Sequence, residues 1–353
     1  MNAHRHDVLR KHVVHFFSVL SILLGFVTAG CTPTPRLTAE DRKRDIEFLA
    51  QWATDCHPLV ELNEKYKLLV RYIRDRIQRR LQNNALLTRP AIILNAFALI
   101  GILCVLYGYF VEPYWINVHV TTIRTAKLRN AGFRIVQISD LHCDKKPRNE
   151  ERTVQIINQL KPDIIVVTGD CLNHASALAR LQAMLRRLES PLGKFAVRGN
   201  FEVRYWSSLD LLENTGFRWL ERDTVTVSKG DDTIGVSGLS LDSPQACRDL
   251  LQEVAKDRFN VFLFHTPDLI EDIQGLGVDL YLCGHTHGGQ VALPLYGALI
   301  TLSKFGKKYE SGKYESDGTI LYVNRGLGLE RMPAPQVRFF SRPEIAVFDI
   351  VPE

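Results

Sequence analysis

The sequence lacks an even, regularly spaced set of cysteines. Its seven cysteines stand at positions 31, 56, 104, 143, 171, 247 and 283, an odd number at irregular spacing. This pattern argues against a disulfide framework. Cys143, Cys171 and Cys283 lie beside polar motifs described below, where free thiols would be at risk in an oxidising compartment. We interpret them as packing residues of a protein domain in a reducing setting.

Neither sign of charge dominates the chain, and low-complexity tracts and internal repeats are absent. The 44 Lys and Arg residues against 39 Asp and Glu residues give a formal net charge of +5, which is too small to predict nucleic-acid binding. A composition of 46% hydrophobic and 24% charged residues is typical of a globular protein. The 353 residues suffice for one large domain with an attachment, or for two modest domains.

Charged residues are also missing from two long apolar segments. Residues 13–30 follow Arg5, Arg10 and Lys11, so we predict that residues 1–31 form a signal-like or first membrane segment. Residues 91–110 carry no charge and are long enough to cross about 30 Å of hydrocarbon, which predicts a transmembrane helix. The alternative interpretation of this second segment is a buried core helix.

The region between these segments, residues 32–90, is predicted to be basic and helical. Apolar side chains from Leu62 to Leu81 recur mostly at spacings of three and four, and several arginines occupy the other faces. Such a helix suits the surface of an anionic membrane leaflet, although a solvated face has the same pattern. The arginines before the span favour an external carboxyl-terminal domain, whereas the unpaired cysteines favour the cytoplasmic face. The sequence leaves this topology open, and we take the cytoplasmic face as the working assignment.

From about residue 132 to the end, short apolar runs alternate with helical patterns. This alternation predicts an α/β domain over residues 132–353, in which functional residues collect at the carboxyl ends of strands. Polar side chains follow five of the runs directly. They occur in the blocks Asp140-Leu-His142, Gly169-Asp170, Gly199-Asn200, His265 and Gly284-His285-Thr-His287.

These blocks supply seven side chains that can bind metal. Carboxylate, imidazole and amide groups together suit Mn²⁺, Fe²⁺ or Zn²⁺ better than Mg²⁺ or Ca²⁺, because imidazole nitrogen is a borderline donor. A single histidine in such a position is usually a hydrogen-bonded structural residue. The whole ordered set predicts a site for two divalent metal ions.

The order of the blocks resembles that of the calcineurin-like metallophosphoesterases, whose pattern is D-x-H, G-D, G-N-H-D/E, H and G-H-x-H. The resemblance implies a four-layer α-β-β-α sandwich with Asp140, His142 and His287 on one metal ion. It implies Asn200, His265 and His285 on a second ion, with Asp170 bridging the two. Asp170 and Asn200 would belong to the catalytic centre, where a metal-bound hydroxide attacks phosphorus in line.

One position departs from the family pattern. Phe201 stands where the family has the histidine that assists the transition state or protonates the leaving group, and phenylalanine can neither donate nor accept a proton. The site is then either a metal-binding scaffold without activity, or an enzyme whose leaving group needs no proton. A phosphate leaving group, with a second pKa of roughly 6, departs unaided far more readily than an alkoxide. The intact ligand set favours the second interpretation.

Two further motifs, residues 322–328 and 284–290, resemble the bacterial membrane-associated branch of this family. Within that branch the chain is similar to enzymes that cleave the diphosphate of UDP-2,3-diacylglucosamine to UMP and a lipid A precursor. The resemblance implies a lipid-linked nucleotide diphosphate as substrate, at the bacterial inner membrane. Arg198, Arg204 and Arg325 are candidates for binding the diphosphate. Another phosphodiesterase or phosphatase, and a non-catalytic metal-bound interaction module, remain as alternatives.

Overall fold

The computed structural model describes residues 89–330 and 336–353, together with Asp75. The predicted first membrane segment and, apart from Asp75, the basic helical stripe of residues 62–81 lie outside these described residues. The chain divides into two compact units, residues 1–105 and residues 106–353.

The apolar segment forms one helix, α1 (Arg89–Phe110), which begins two residues before its predicted start. At about 1.5 Å per residue, its 22 residues span roughly 33 Å. By length and composition this helix could cross a membrane. Its large side chains are mostly exposed, as Ile93 and Phe97 illustrate. This exposure is unlike that of a buried core helix.

Two six-stranded sheets form the centre of the second unit. The first sheet has the strand order β1-β14-β2-β3-β4-β5, in which β2, β3, β4 and β5 are parallel and β14 is antiparallel to β2. Its strands are β1 (Asn117–Thr125), β2 (Phe133–Ile138), β3 (Ile164–Val167), β4 (Gly193–Ala196), β5 (Arg218–Trp219) and β14 (Glu344–Pro352).

The second sheet has the order β12-β13-β9-β8-β7-β6 and is parallel from β13 to β7. Its edges are completed by two antiparallel hairpins, β6–β7 and β12–β13. Its strands are β6 (Arg222–Lys229), β7 (Asp232–Leu239), β8 (Phe259–Leu263), β9 (Leu280–Cys283), β12 (Gly312–Ser316) and β13 (Thr319–Val323). A small separate hairpin consists of β10 (Ala292–Leu293) and β11 (Gly297–Ala298).

The two sheets pack face to face, with helices on their outer faces. Ile135 of β2 and Val261 of β8 belong to one fully buried cluster between the sheets. Ile157 packs on the outer face of the first sheet and Leu250 on that of the second. The helices of these outer layers are α2 (Glu150–Leu160), α3 (Leu178–Arg186) and α5 (Cys247–Gln252). A short helix, α4 (Asn200–Tyr205), follows β4. The predicted α-β-β-α sandwich is confirmed.

Two strands of the first sheet, β1 and the two-residue β5, were not predicted. β1 pairs in parallel with β14 over nine residues, from Asn117 with Glu344 to Thr125 with Pro352. The sheet therefore begins before residue 132, the predicted start of the α/β domain. β1 is a half-exposed edge strand, so it lacks the continuous apolar run that marks the buried strands.

Candidate metal centre

The structure brings all seven predicted ligands together at one end of the sandwich. Each follows a strand at its carboxyl end, where the parallel strands of both sheets meet. Contacts join the blocks directly: the His285 N–H donates to the Asp140 carboxylate, and the Asp140 N–H donates to the Gly169 carbonyl. The arrangement therefore unites residues 145 positions apart in the chain.

Five of the seven ligands have a backbone conformation that residues with side chains rarely adopt. The φ angles are 48° at Asp140, 40° at His142, 56° at Asp170, 70° at His285 and 53° at His287. Such left-handed conformations persist only where the surrounding structure fixes them, and they cluster at functional sites. The ligands thus follow the strands in tight turns, and the side-chain alternation of the strands does not set their directions.

Asp140, His142 and His287 form the first ligand group. The two imidazole Nε2 atoms lie 3.2 Å apart, and His287 Nε2 lies 3.5 Å from Asp140 Oδ1. His142 Nδ1 lies 2.8 Å from Asn173 Oδ1, an oxygen that only accepts, so Nδ1 carries the proton and Nε2 presents a lone pair. Two ligands about 2.1 Å from one ion lie about 3.0–3.4 Å apart at octahedral or tetrahedral angles. The spacing suits a shared cation.

Asp170, His265, His285 and Asn200 form the second ligand group. His265 Nδ1 donates to the Thr168 carbonyl at 2.7 Å, which leaves Nε2 to bind either a second proton or a metal ion. That Nε2 lies 2.9 Å from Asn200 Oδ1, 3.2 Å from His285 Nδ1 and 3.5 Å from Asp170 Oδ2. Lone pairs from these groups converge on one space, an arrangement that a cation would stabilise.

Asp170 lies between the two groups. Its Oδ1 accepts from the Phe201 N–H, whereas its Oδ2 is buried without a hydrogen bond. That Oδ2 lies 3.5 Å from His265 Nε2 and 3.8 Å from His142 Nε2, within reach of both groups. A buried carboxylate oxygen without a partner is costly unless a cation satisfies it. The residues therefore fit a divalent metal.

The electrostatics of the site favour a positive partner. Burial alone would lower the pKa of His265, but the negative charges of Asp170 and Asp140 raise it to about 10. Burial alone would raise the pKa of Asp170, but His265 and then His142 lower it below the usual range. The pocket thus holds an ionised carboxylate and attracts positive charge, whether a proton or a metal ion supplies it.

Glu202 stabilises the loops that carry the second ligand group. Its fully buried carboxylate accepts hydrogen bonds from the N–H groups of Asp170, Cys171 and Gly199, each at 2.8 Å. In the sequence, Glu202 stands at the acidic position that ends the G-N-H-D/E pattern. Its structural role depends on backbone N–H donors from two loops, and a sequence motif does not reveal such contacts.

Phe201 fills the place beside the first group. Its ring is buried and meets the His142 ring edge-on at 4.7 Å between centroids. Its backbone N–H still donates to Asp170, so the loop keeps its conformation although the side chain has no polar atom. Phe201 therefore leaves this side of the site without a proton donor of its own.

Two glycines permit the close approach of the ligand loops. A Cβ atom on Gly199 would overlap Asp170 Oδ1 and would lie 2.8 Å from its backbone nitrogen. A Cβ on Gly284 would overlap the side chains of Ser139 and Asp140. Any larger residue at either position would displace a ligand.

The three arginines predicted to bind substrate lie in different surroundings. Arg198 pairs with Glu221 at 2.6 Å and stacks on Trp219, and Arg204 is exposed on α4. Arg325 is the one whose aliphatic part adjoins Gly288, next to His287. Of the three, Arg325 has the most direct link to the ligand loops.

The cysteines beside the site are packing residues, as predicted. Cys143, Cys171 and Cys283 are buried, and burial raises the pKa of each thiol. Such thiols are unreactive toward oxidants. The cysteines of the described part of the chain are free.

The fold and the site define a metal-dependent phosphoesterase. Residues 133–289 match the calcineurin-like phosphoesterase family. The metallophosphoesterase YkuE of Bacillus subtilis is 35% identical over 260 residues, covering 69% of this chain and 89% of that protein. The chain belongs to the calcineurin-like phosphoesterase family, whose members use divalent metals.

More particular relatives include a named pyrophosphatase. The UDP-2,3-diacylglucosamine pyrophosphatase LpxG of Chlamydia trachomatis is 28% identical over 283 residues, covering 61% of this chain and 83% of that protein. A metallophosphoesterase of Aquifex aeolicus is 31% identical over 266 residues, covering 70% of this chain and 97% of that protein.

Proposed function

We propose that this protein is a membrane-attached, two-metal phosphohydrolase that cleaves the diphosphate of UDP-2,3-diacylglucosamine to UMP and a lipid A precursor. The observation that carries the proposal is the pair of ligand groups that share Asp170, with Phe201 beside them. Asp140, His142 and His287 would hold one ion; Asn200, His265 and His285 would hold the other; and Asp170 would reach both.

The chemistry follows from what these residues offer. Bound divalent ions lower the pKa of water and neutralise phosphoryl oxygens. Water oxygen joins one phosphorus of the diphosphate, and the bridging oxygen leaves with the other phosphate. Because that phosphate leaves as a stable anion, it needs no proton donor at position 201. The same site would hydrolyse alkyl esters slowly, since an alkoxide does need one.

Exposed apolar side chains near the site support a lipid-linked substrate. The segment that begins five residues after His287 exposes Leu293, Leu295, Tyr296, Leu299, Ile300 and Leu302. The Ala292 N–H donates to the Phe339 carbonyl, and the next residue, Phe340, is 59% exposed. An apolar patch of this kind suits acyl chains or a bilayer surface. The lysines that follow, Lys304, Lys307 and Lys308, add little net charge to this patch, because each pairs with a carboxylate.

Substrate discrimination tests the proposal. Full-length protein in detergent with Mn²⁺ should release UMP from UDP-2,3-diacylglucosamine and should turn over bis-p-nitrophenyl phosphate and p-nitrophenyl phosphate far more slowly. Turnover of the aryl diester alone would indicate a phosphodiesterase of another substrate. Bound metal without any turnover would indicate a non-catalytic module.

Replacing Phe201 with histidine tests the leaving-group argument. We expect Phe201→His to raise hydrolysis of phenyl and alkyl phosphodiesters about tenfold or more, because a proton donor then assists a poor leaving group. The rate on the diphosphate should change less than about threefold. Phe201→Leu is the matched control, since it alters the same space without adding a donor. A large gain on both substrate types would contradict the argument.

A further inference from the structure

A third carboxylate reaches the first ligand group. Glu330 Oε2 lies 3.4 Å from His287 Nε2 and 3.8 Å from His142 Nε2. With His142 and Asp170, it forms a group whose ligand atoms all lie within 4.8 Å of one another. Glu330 is not among the seven ligands predicted from the sequence.

The loop that carries Glu330 is fixed against the site. The Glu330 N–H donates to Gln290 Oε1 at 2.7 Å, and the Gly328 N–H donates to the Asp140 carbonyl at 2.7 Å. A Cβ on Gly328 would overlap the Leu141 carbonyl, so the loop packs directly on the Asp140–His142 block. The position of Glu330 is therefore set by the same turns that position the ligands.

The buried side chain of Arg338 also contacts this loop. Its Nη2 group, which has two protons, lies 2.6–3.1 Å from the carbonyl oxygens of Arg325, Gly326 and Gly328, and its Nε donates to the Gly328 carbonyl at 3.1 Å. Charge-assisted hydrogen bonds from both nitrogens stabilise the backbone of residues 325–328. These contacts fix the residues just before Glu330 beside the Asp140–His142 block.

We propose that Glu330 is an additional ligand of the metal ion held by Asp140, His142 and His287. Both histidine Nε2 atoms and the buried, unpartnered Asp170 Oδ2 face the space that Glu330 Oε2 faces. An ion bound by those atoms lies within reach of the carboxylate. This inference rests on the metal centre of the proposed function and not on its substrate.

An extra oxygen ligand has a consequence for metal choice. Zn²⁺ favours four ligands rich in nitrogen and sulfur, whereas Mn²⁺ accepts more ligands and prefers oxygen. Glu330 adds a carboxylate to a group that already contains those of Asp140 and Asp170. The first ion position should therefore favour Mn²⁺ over Zn²⁺ more strongly than the second position does.

Metal titration of the full-length protein in detergent tests the assignment. After removal of metal with a chelator, Mn²⁺ binding is measured by calorimetry and by the Mn²⁺ electron paramagnetic resonance signal. We expect Glu330→Gln to weaken one of two Mn²⁺ sites about ten- to hundredfold, to leave the other unchanged and to weaken Zn²⁺ binding less. Glu330→Asp should recover part of the loss.

Glu315→Gln, on the exposed strand β12, is the matched control and should bind Mn²⁺ like the parent protein. Parent-like Mn²⁺ affinities in Glu330→Gln, with two ions bound in both proteins, would overturn the assignment of Glu330 and leave the proposed function standing. A parent protein that binds no ion would overturn both.

Discussion

Asp170→Asn should lower kcat/KM for the preferred substrate by about 10⁴-fold, on the order of 5 kcal/mol of transition-state stabilisation. Asparagine keeps the size of the side chain and one oxygen that can accept from the Phe201 N–H. It replaces the buried, unpartnered Oδ2 with a donor and removes the negative charge. One side chain can then no longer serve both ligand groups. Steady-state kinetics and metal analysis of the same preparation measure the two effects together.

The fold should survive this change, which separates the loss of activity from unfolding. Asp257→Asn makes the same chemical change on an exposed turn before β8, at the opposite end of the strand from His265. We expect parent-like kinetics and metal content from it. Retention of two ions and of full activity in Asp170→Asn would show that Asp170 does not join the groups.

Glu202→Ala should destabilise the domain by about 3–5 kcal/mol. The substitution leaves the N–H groups of Asp170, Cys171 and Gly199 buried without their acceptor, and each such loss costs about 1–3 kcal/mol. The loss is partly offset, because burial and then the charge of Asp170 raise the pKa of Glu202 and thus oppose its ionised form. For a domain of this size, 1 kcal/mol corresponds to roughly 2–4 °C in Tm.

Thermal unfolding in the presence of a chelator isolates this effect from metal binding. Glu151→Ala is the control, because the Glu151–Arg187 ion pair is exposed on both sides and solvent screens it. The Tm of Glu151→Ala should stay near that of the parent. An equally stable Glu202→Ala would mean that other groups hold the Asp170 and Gly199 loops.

Much of the sandwich was predictable because its central strands are buried on both faces. β3 and β9 are continuous apolar runs, β2 and β8 are mostly apolar, and a predicted ligand block follows each of the four. β1 was missed because an exposed edge strand mixes polar and apolar residues. Its signal is weak alternation and a run of β-branched residues, Thr121, Thr122 and Ile123.

The sequence shows the seven predicted ligands, because they stand in short motifs. It does not show the positions of Glu202 and Glu330, which depend on hydrogen bonds and distances between loops far apart in the sequence. The positive φ angles of Asp140 and His142 were equally hidden, since neither residue type requires that conformation. In the sequence, the proposed role of Glu330 is indicated only by its position, two residues after the Gly-Leu-Gly328 motif.

Anomalous X-ray diffraction from crystals of the full-length protein grown with Mn²⁺ tests the central claim most directly. We expect two anomalous peaks about 3.5–4 Å apart, one on each side of Asp170, with Glu330 beside the peak nearer His142. A crystal with no peak between these side chains, despite intact loops, would contradict the two-metal phosphohydrolase.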